Sequence, residues 1–513
     1  MSQIATQQRS VARAGDSPTL RPDELNLFDE TAVAISSTGP TYSLAATVGL
    51  LFLAVAYAGP AAVIVSFLPM LFIAVAYFYL NRRDPNCGAS YAWLSKLVSP
   101  RIGWFNGWVQ LAASVLFCIA APVLAADYTL QFVHSVGWTS HTLTNPWLVA
   151  GIATAWLGLI TFVTVYSVRW TANTQWVAVL IQYGVVVVTS IWGIVKVAVH
   201  HPAGSTGFHW SWLNPLSLHG YGGLAAGVVL GLFLFWGWDT AVNLNEESKN
   251  SSKTPGRAVI VSMFFLGFIF VLNIVAAQML LPEKQLASQG TNVLFYFSEQ
   301  VGGQGLGYLM IFAVLVSTVA DTQTTLLPAS RLTLSMARDR VFPGVFSAIH
   351  DEFQTPLVGT LTLAGLALLG IIVRTASPTV NAGYGNIIND IGVLVAVYYG
   401  ATGVACAWAY RKVMFDSARF FVSAILLPFL AGLFCFWVGY EVVHQSGLAA
   451  SADVLAVLAL GVPLVWLAGR LTRSDFFKRR PVAYASITGE PELVVNRIAP
   501  EQPGSSVDSR KGL

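Results

Sequence analysis

Charge is what this sequence has least of: of 513 residues only 10% are Asp, Glu, Lys or Arg, while 55% are hydrophobic. From Thr31 through Asn81 there is no charged residue at all, about twice the roughly 20 residues that one membrane-spanning helix needs. Two spans share that run, with a turn expected near Tyr57 to Pro60. The composition therefore excludes an ordinary soluble domain and predicts an all-α, multi-pass membrane protein. Cysteine is scarce too. Cys87, Cys118, Cys406 and Cys435 show no CxxC or Cys/His ligand spacing, which excludes a disulfide framework or a zinc site and leaves them as small packing residues. The first 28 residues lack the short apolar core of a cleavable signal peptide, so the first span is expected to act as its own insertion signal.

Uncharged runs of spanning length predict twelve transmembrane helices, at 31 to 57, 60 to 80, 102 to 133, 147 to 168, 175 to 199, 223 to 243, 258 to 281, 305 to 330, 355 to 373, 388 to 410, 420 to 440 and 453 to 469. With both tails on one side, 25 of the 28 Lys and Arg fall on that side and only Lys196, Lys284 and Arg374 on the other. The positive-inside rule then places both termini in the cytoplasm of a cell whose inner membrane holds the chain. Trp210 and Trp212 lie near an interface, and Trp138 and Trp147 flank the preceding outer loop, as aromatic belts do. His200, His201 and His209 could bind metal or sense pH, but no carboxylate or cysteine completes a site, which favours ordinary loop histidines. The expected domains are a cytoplasmic tail at 1–28, a transporter domain at 29–470 and a disordered cytoplasmic tail at 471–513.

Two spans look interrupted. Ser36, Ser37, Thr38, Gly39, Pro40 and Thr41 set small and hydroxyl side chains and a Gly-Pro pair inside the first span. Proline removes a backbone donor and disfavours helix at the residue before it, so the helix is expected to break there. The exposed start of the second half-helix attracts an anion and the carbonyls ending the first half attract a cation. A second stretch, Phe233 to Asp239, carries Phe235, Trp236, Gly237 and Trp238 and ends on a carboxylate, Asp239, near the end of an apolar span. A charge in hydrocarbon costs at least a few kcal/mol (~2.5 to 3.5), so such residues mark a cavity, a partner or a pathway. The second span begins near Pro60 and the seventh near Ala258, an offset of 198 that also carries Gly39 onto Gly237. Because the two halves start from opposite sides, the repeat is inverted, and paired interruptions point to a central substrate site. The alternative is that both glycines merely allow close helix packing.

At these residues the chain resembles the amino acid, polyamine and organocation transporter superfamily, the bacterial amino acid permeases with the LeuT-like fold. The likeness covers roughly Leu25 to Arg470 and rests on STGPTYSLAATVG (37–49), GASYAWLSKLVSPRIGWFNGW (88–108), FWGWDTAVNLNEESKN (235–250) and SRLTLSMARDRVFPGVFSAIHDEFQTP (330–356) taken together. It implies a 5+5 inverted repeat with discontinuous helices 1 and 6 and peripheral helices 11 and 12. It also implies a site between spans 1, 3, 6 and 8, with span 10 a further candidate. There a substrate carboxylate would bind amides of the Ser37–Thr41 break, and an ammonium would bind carbonyls of both breaks. Phe233 matches the gating aromatic, and Asp239 an acid that takes part in proton or substrate response. The chain departs at Gln182, where some proton-coupled relatives carry a lysine, in the KNSSKTPGRA loop, which lacks a proline directly after Lys-Asn, and at Asp321, where neutral residues are expected.

Asp321, well inside the eighth span, could take a proton, complete a cation site with Ser317 and Thr318, or hydrogen-bond a threonine. For Asp239 the alternative to function is solvation at a helix end. Trp236 and Trp238 either gate or stack on a cation, or simply pack, and only one can share the face of Phe233. Arg338, Asp339 and Arg340 suggest an inner ion-pair network or mere topology charge. The resulting expectation is a secondary transporter of amino acids, monomeric or a homodimer. Its partners are a small-molecule substrate and the lipid bilayer, with no nucleic acid, no cofactor, and H⁺ or Na⁺ as coupling ion. The rivals are a polyamine or organic-cation carrier of the same fold, a channel, and a membrane-embedded enzyme. No span offers the clustered nucleophile and base the last requires.

Overall fold

A computed structural model describes residues 20–139, 143, 145–166, 168–288, 290–377, 387–472 and 474–484. Among them there is no strand, only one isolated parallel bridge between Leu25 and Ser248. Ten helical stretches are long and apolar enough to cross a membrane by length and composition, and a shorter apolar helix covers Gly220–Leu234.

The first stretch, Leu27–Arg83, is interrupted twice. Helix α1 (Leu27–Ser36) starts on a capping box: Asn26 Oδ1 accepts from the Phe28 and Asp29 amides, and Asp29 Oδ2 accepts from the Asn26 amide. It stops because Gly39 turns left-handed (φ 48°) and Pro40, which has no N–H to lose, opens α2 (Pro40–Val55). A 3₁₀ turn at Ala56–Ala58 then leads into α3 (Gly59–Arg83). After α4 (Ala89–Leu97) come the long spans α5 (Pro100–Ser135), α6 (Pro146–Tyr166) and α7 (Val168–His200). Helix α8 (Gly220–Leu234) ends in an irregular turn with Gly237 at φ 113°, before the single turn α9 (Thr240–Asn243). Next are α10 (Thr254–Leu280), the short α11 (Glu283–Ser288) and α12 (Val293–Gly302), α13 (Gln304–Arg338) and α14 (Leu357–Ala376). The chain closes with α15 (Ile387–Ala409), α16 (Leu427–Ala450), which follows a π-helical turn at Phe421–Leu426, and α17 (Ala452–Leu471).

Two apolar clusters organise these helices. The larger joins α1, α2, α3, α8, α10, α15 and α16 with one face of α5 and the start of α13; the other joins the opposite face of α5 and the end of α13 with α6 and α14. Helices α1, α2 and α8 all contribute residues to the first of these clusters.

Several boundaries differ from the sequence reading. The expected sixth span, 223–243, is not one helix: it is split into α8, a turn and α9. The eighth, expected to end at 330, runs on to Arg338, because Arg331 is buried by an ion pair and so does not mark the membrane edge. The tail expected to be disordered from 471 is packed as far as 484. Phe476 is buried against Tyr91, Arg479 pairs with Asp339 at 2.7 Å, and the Val482 and Tyr484 amides donate to the Lys96 and Ala409 carbonyls. Aromatic anchors, absent from a typical disordered segment, hold it there. The expected first tail, 1–28, is described only from Leu20, and 485–513 lie outside the described residues.

The two break glycines make a graded prediction. A Cβ on Gly237 would run into the Ser37 carbonyl, which belongs to backbone, whereas a Cβ on Gly39 would meet the Asp321 carboxylate, a side chain that can rotate. Gly237→Ala is expected to cost about 2 to 4 kcal/mol and Gly39→Ala less. Thermal melting of the purified variants checks the order; equal melting temperatures would refute it.

Candidate functional site

The two breaks touch. Ser37 Oγ donates to the Gly237 carbonyl at 2.6 Å, so a side chain of the first break satisfies a backbone group freed by the second. Of the remaining break residues, Thr38 Oγ1 donates back to the Ile35 carbonyl at 2.7 Å, Ser36 Oγ hydrogen-bonds Gln175 on α7, and Thr41 Oγ1 reaches the Gln182 carbonyl at 3.5 Å. Pro40 is buried at the start of α2.

Beside the contact, four buried rings close on one another. Tyr42 of α2 and Phe117 of α5 meet edge-on at 5.4 Å, Phe117 meets Trp236 at 5.4 Å, Trp236 lies 6.5 Å from Phe233, and Phe233 lies 6.4 Å from Tyr42. Trp236 therefore shares the face of Phe233. Trp238 turns away, stacking on Tyr399 of α15 at 5.0 Å and meeting Tyr77 of α3 at 5.0 Å. Phe235 also faces away, toward Phe67 and Phe270.

Asp239 is buried and held by two phenols. Tyr399 donates to Oδ1 at 2.7 Å and Tyr398 to Oδ2 at 3.5 Å, while Trp236 Nε1 donates to the Tyr398 hydroxyl at 2.5 Å. These tyrosines were not singled out from the sequence. The signal was an adjacent pair of phenols inside an otherwise apolar span.

Asp321 sits on the other side of the first break, with its Oδ2 filling the space into which a Cβ on Gly39 would point. Its carboxylate makes no hydrogen bond or ion pair among the described residues, although it is only 4% exposed. Ser317 does not join it: its hydroxyl accepts from the Tyr42 amide at 3.0 Å and donates to Gln182 Oε1 at 2.7 Å. Thr318 donates back to the Val314 carbonyl at 2.7 Å. Gln182 thus bridges α7, α13 and the start of α2 where a lysine would have carried charge. A cavity of about 550 Å³ lies elsewhere, between α6, α7 and α13, with Gln175 and Gln323 among apolar neighbours such as Trp156, Val177 and Phe312. It is separate from the ring cluster and from Asp239.

At the basic end of the bundle two ion pairs join α13 to the segment after α9. Arg331 of α13 forms a bidentate pair with Glu247, at 2.8 and 3.0 Å, with both side chains 1% exposed. Arg338 grips Glu246 at 2.8 and 3.0 Å, and the Cys87 amide donates to the same carboxylate at 3.1 Å. The Glu24 and Leu25 amides donate to the Glu247 carbonyl and the Lys249 amide to the Leu25 carbonyl, tying the start of α1 to the segment after α9. Burial alone would raise the Glu246 carboxyl, but the Arg338 guanidinium and the Cys87 amide hold it below its ordinary 4.5.

The pattern of the family described as amino acid permease matches residues 25–462. The chain belongs to that family. It is 25% identical over 462 residues to the low-affinity putrescine importer PlaP of Escherichia coli (strain K12), covering 86% of this chain and 89% of the relative. It is 25% identical over 393 residues to the large neutral amino acids transporter small subunit 2 of Mus musculus, covering 75% and 69%. With the Asc-type amino acid transporter 1 of the same species it shares 26% identity over 311 residues, covering 58% and 54%. The protein is a transporter, embedded in a membrane and acting on a small molecule. It is not an enzyme.

The closed end gives a measurable expectation. Burial pushes the Cys87 thiol well above its ordinary range, so it should react slowly while the pairs hold. With Cys118, Cys406 and Cys435 replaced by Ala, Glu246→Gln should speed alkylation of Cys87 about tenfold. Glu247→Gln, which leaves Arg331 charged and buried, should weaken the closed form by about 3 to 5 kcal/mol. With its carboxyl depressed, Glu246 contributes fully above pH 4.5 and loses that contribution only as pH falls through the lower folded value. Alkylation that accelerates already between pH 7 and 5 would contradict this.

Proposed function

We propose that this permease is a secondary active transporter that carries amino acids or related amines across the cytoplasmic membrane by alternating access. The observation that carries the reading is the Ser37–Gly237 hydrogen bond between two interrupted helices, beside a closed ring of four aromatics. Half-helix ends meeting inside a bundle offer amides and carbonyls to a charged solute, which continuous helices cannot. The relatives named for putrescine and for neutral amino acids share a primary amino group as substrate chemistry.

In this reading the 57-residue first stretch supplies two spans, and Gly220–Leu234 with the turn and α9 supplies the sixth, which makes twelve with the nine other long stretches. Spans 1 to 5 and 6 to 10 form an inverted repeat, related by the offset that maps Gly39 onto Gly237. The concentration of Lys and Arg at the end closed by the ion pairs supports cytoplasmic termini. That end is the inner gate, closed in this conformation.

The coupling ion is a proton, carried by Asp239. Its carboxylate is bonded to neutral phenols, so its protonation answers to whether water reaches it. A sodium site at Ser317 finds less support, because that hydroxyl already donates to Gln182 and accepts from Tyr42. Purified protein in liposomes should accumulate labelled substrate under an imposed proton gradient and ignore a sodium gradient. Asp239→Asn should flatten the pH dependence of uptake and lower accumulation about tenfold or more. Absence of any gradient-sensitive or exchange flux across twenty amino acids and common amines would overturn the carrier reading.

A further inference from the structure

We propose that Asp321 supplies, from the protein itself, the carboxylate that an amino acid would bring to the first break, so that the central site takes a primary amine or diamine lacking a carboxylate. The proposal rests on the transport reading above and narrows its substrate.

Two observations carry it, and they concern opposite charges. The first is that the anion-binding capacity of the break is largely used. The Thr38 amide donates to the Ile35 carbonyl at 3.3 Å, Gly39 to Ser36 at 2.9 Å and Ser43 to Gly39 at 2.7 Å, the Tyr42 amide donates to Ser317 Oγ, and Pro40 has no N–H. An incoming carboxylate would find few free donors at the start of α2. It would also meet Asp321, whose carboxylate already lies against Gly39 at that helix start, with no cation paired to it among the described residues. Two like charges in a water-poor site repel strongly.

The second is that the same carboxylate has no hydrogen-bond or ion-pair partner among the described residues. The hydroxyls nearest it in sequence all turn back onto their own helix: Thr318 to Val314, Thr322 to Thr318 and Thr324 to Ala320. A carboxylate this deeply buried requires a proton or a cation. The ring cluster gives the cation its second contact. Tyr42 of that cluster lies three residues past Gly39, against which Asp321 sits, and its amide donates to Ser317 on the same helix as Asp321; π-faces attract an ammonium while their area covers its methylene chain. Asp239 does not compete for the role, since two phenols already occupy it.

The decisive comparison is between 1,5-diaminopentane and lysine, which differ by one carboxylate. Full-length protein in liposomes should take up 1,5-diaminopentane at least about tenfold faster than lysine, and alanine no faster than lysine. Asp321→Asn should lose diamine uptake about tenfold or more with an unchanged melting temperature. If that variant does not fold, the wild-type ratio decides alone. Lysine or alanine carried as fast as the diamine overturns the proposal. So does an Asp321→Asn protein that keeps diamine uptake and loses only its pH dependence, which would make Asp321 a proton carrier. Flux of no amine and no amino acid would instead remove the transport reading itself.

Discussion

Backbone that leaves helical geometry inside a membrane has no water to hydrogen-bond, so every freed group must find protein. This fold meets that constraint by setting one interruption against the other. Ser37 Oγ satisfies the Gly237 carbonyl, and the close approach is open only to a residue without a Cβ at 237. Ser43 Oγ covers the Thr38 carbonyl at 2.6 Å and Ser317 Oγ takes the Tyr42 amide. The small hydroxyl residues of both α2 and α13 thus replace solvent for a stretch of chain that could not otherwise be buried.

The chain's local rules made the first part of this legible. Pro40 after Gly39 dictates a helix start, the offset of 198 joins it to Gly237, and long uncharged runs set most spans to within a few residues. The same local rules fail where a distant residue reverses their meaning. Arg331 reads as an arginine at a membrane edge, yet Glu247, 84 positions earlier, lets the helix continue past it in a buried pair. Asp239 reads as a lone charge, yet Tyr398 and Tyr399, about 160 positions later, surround it. The facing of side chains across a break was equally illegible, because periodicity ends where the helix does. Hence Trp236 and Trp238, two apart, meet different rings, Phe117 and Phe233 for the first and Tyr77 and Tyr399 for the second. Phe476 and Tyr484 looked like residues of a free tail because the surface that receives them, Tyr91 and Tyr410, is assembled from two distant helices.

Buried ion pairs are weak contributors to stability, since desolvation offsets their attraction, but they are strongly destabilising to break one-sidedly. That asymmetry suits a gate better than a structural brace. A pair such as Glu247–Arg331 is near neutral while closed and must be rehydrated on both sides to open. Opening and water entry at the basic end are therefore one event. A hydrophobic closure of the same size would lack this coupling, because its separation exposes no group that water stabilises.

Site and gate are also joined by a very short piece of chain. Only the single turn α9 and the residues Leu244 and Asn245 separate Asp239 from Glu246 and Glu247. Asn243 and Asn245 fasten that piece to the Cys87 carbonyl and to Asn81 at 2.9 and 2.8 Å. Under the transport reading proposed above, a segment so short and so bonded would move as a unit, with Gly237 at its near end. In that reading, movement of the glutamates away from Arg331 and Arg338 would displace Asp239 relative to Tyr398 and Tyr399 of α15. Water entering there would arrive at a carboxylate whose phenol partners were being withdrawn. Under the proposed proton coupling, its protonation would follow the state of the ion pairs without Glu246 itself having to titrate, since the Arg338 guanidinium holds that carboxyl below its ordinary range.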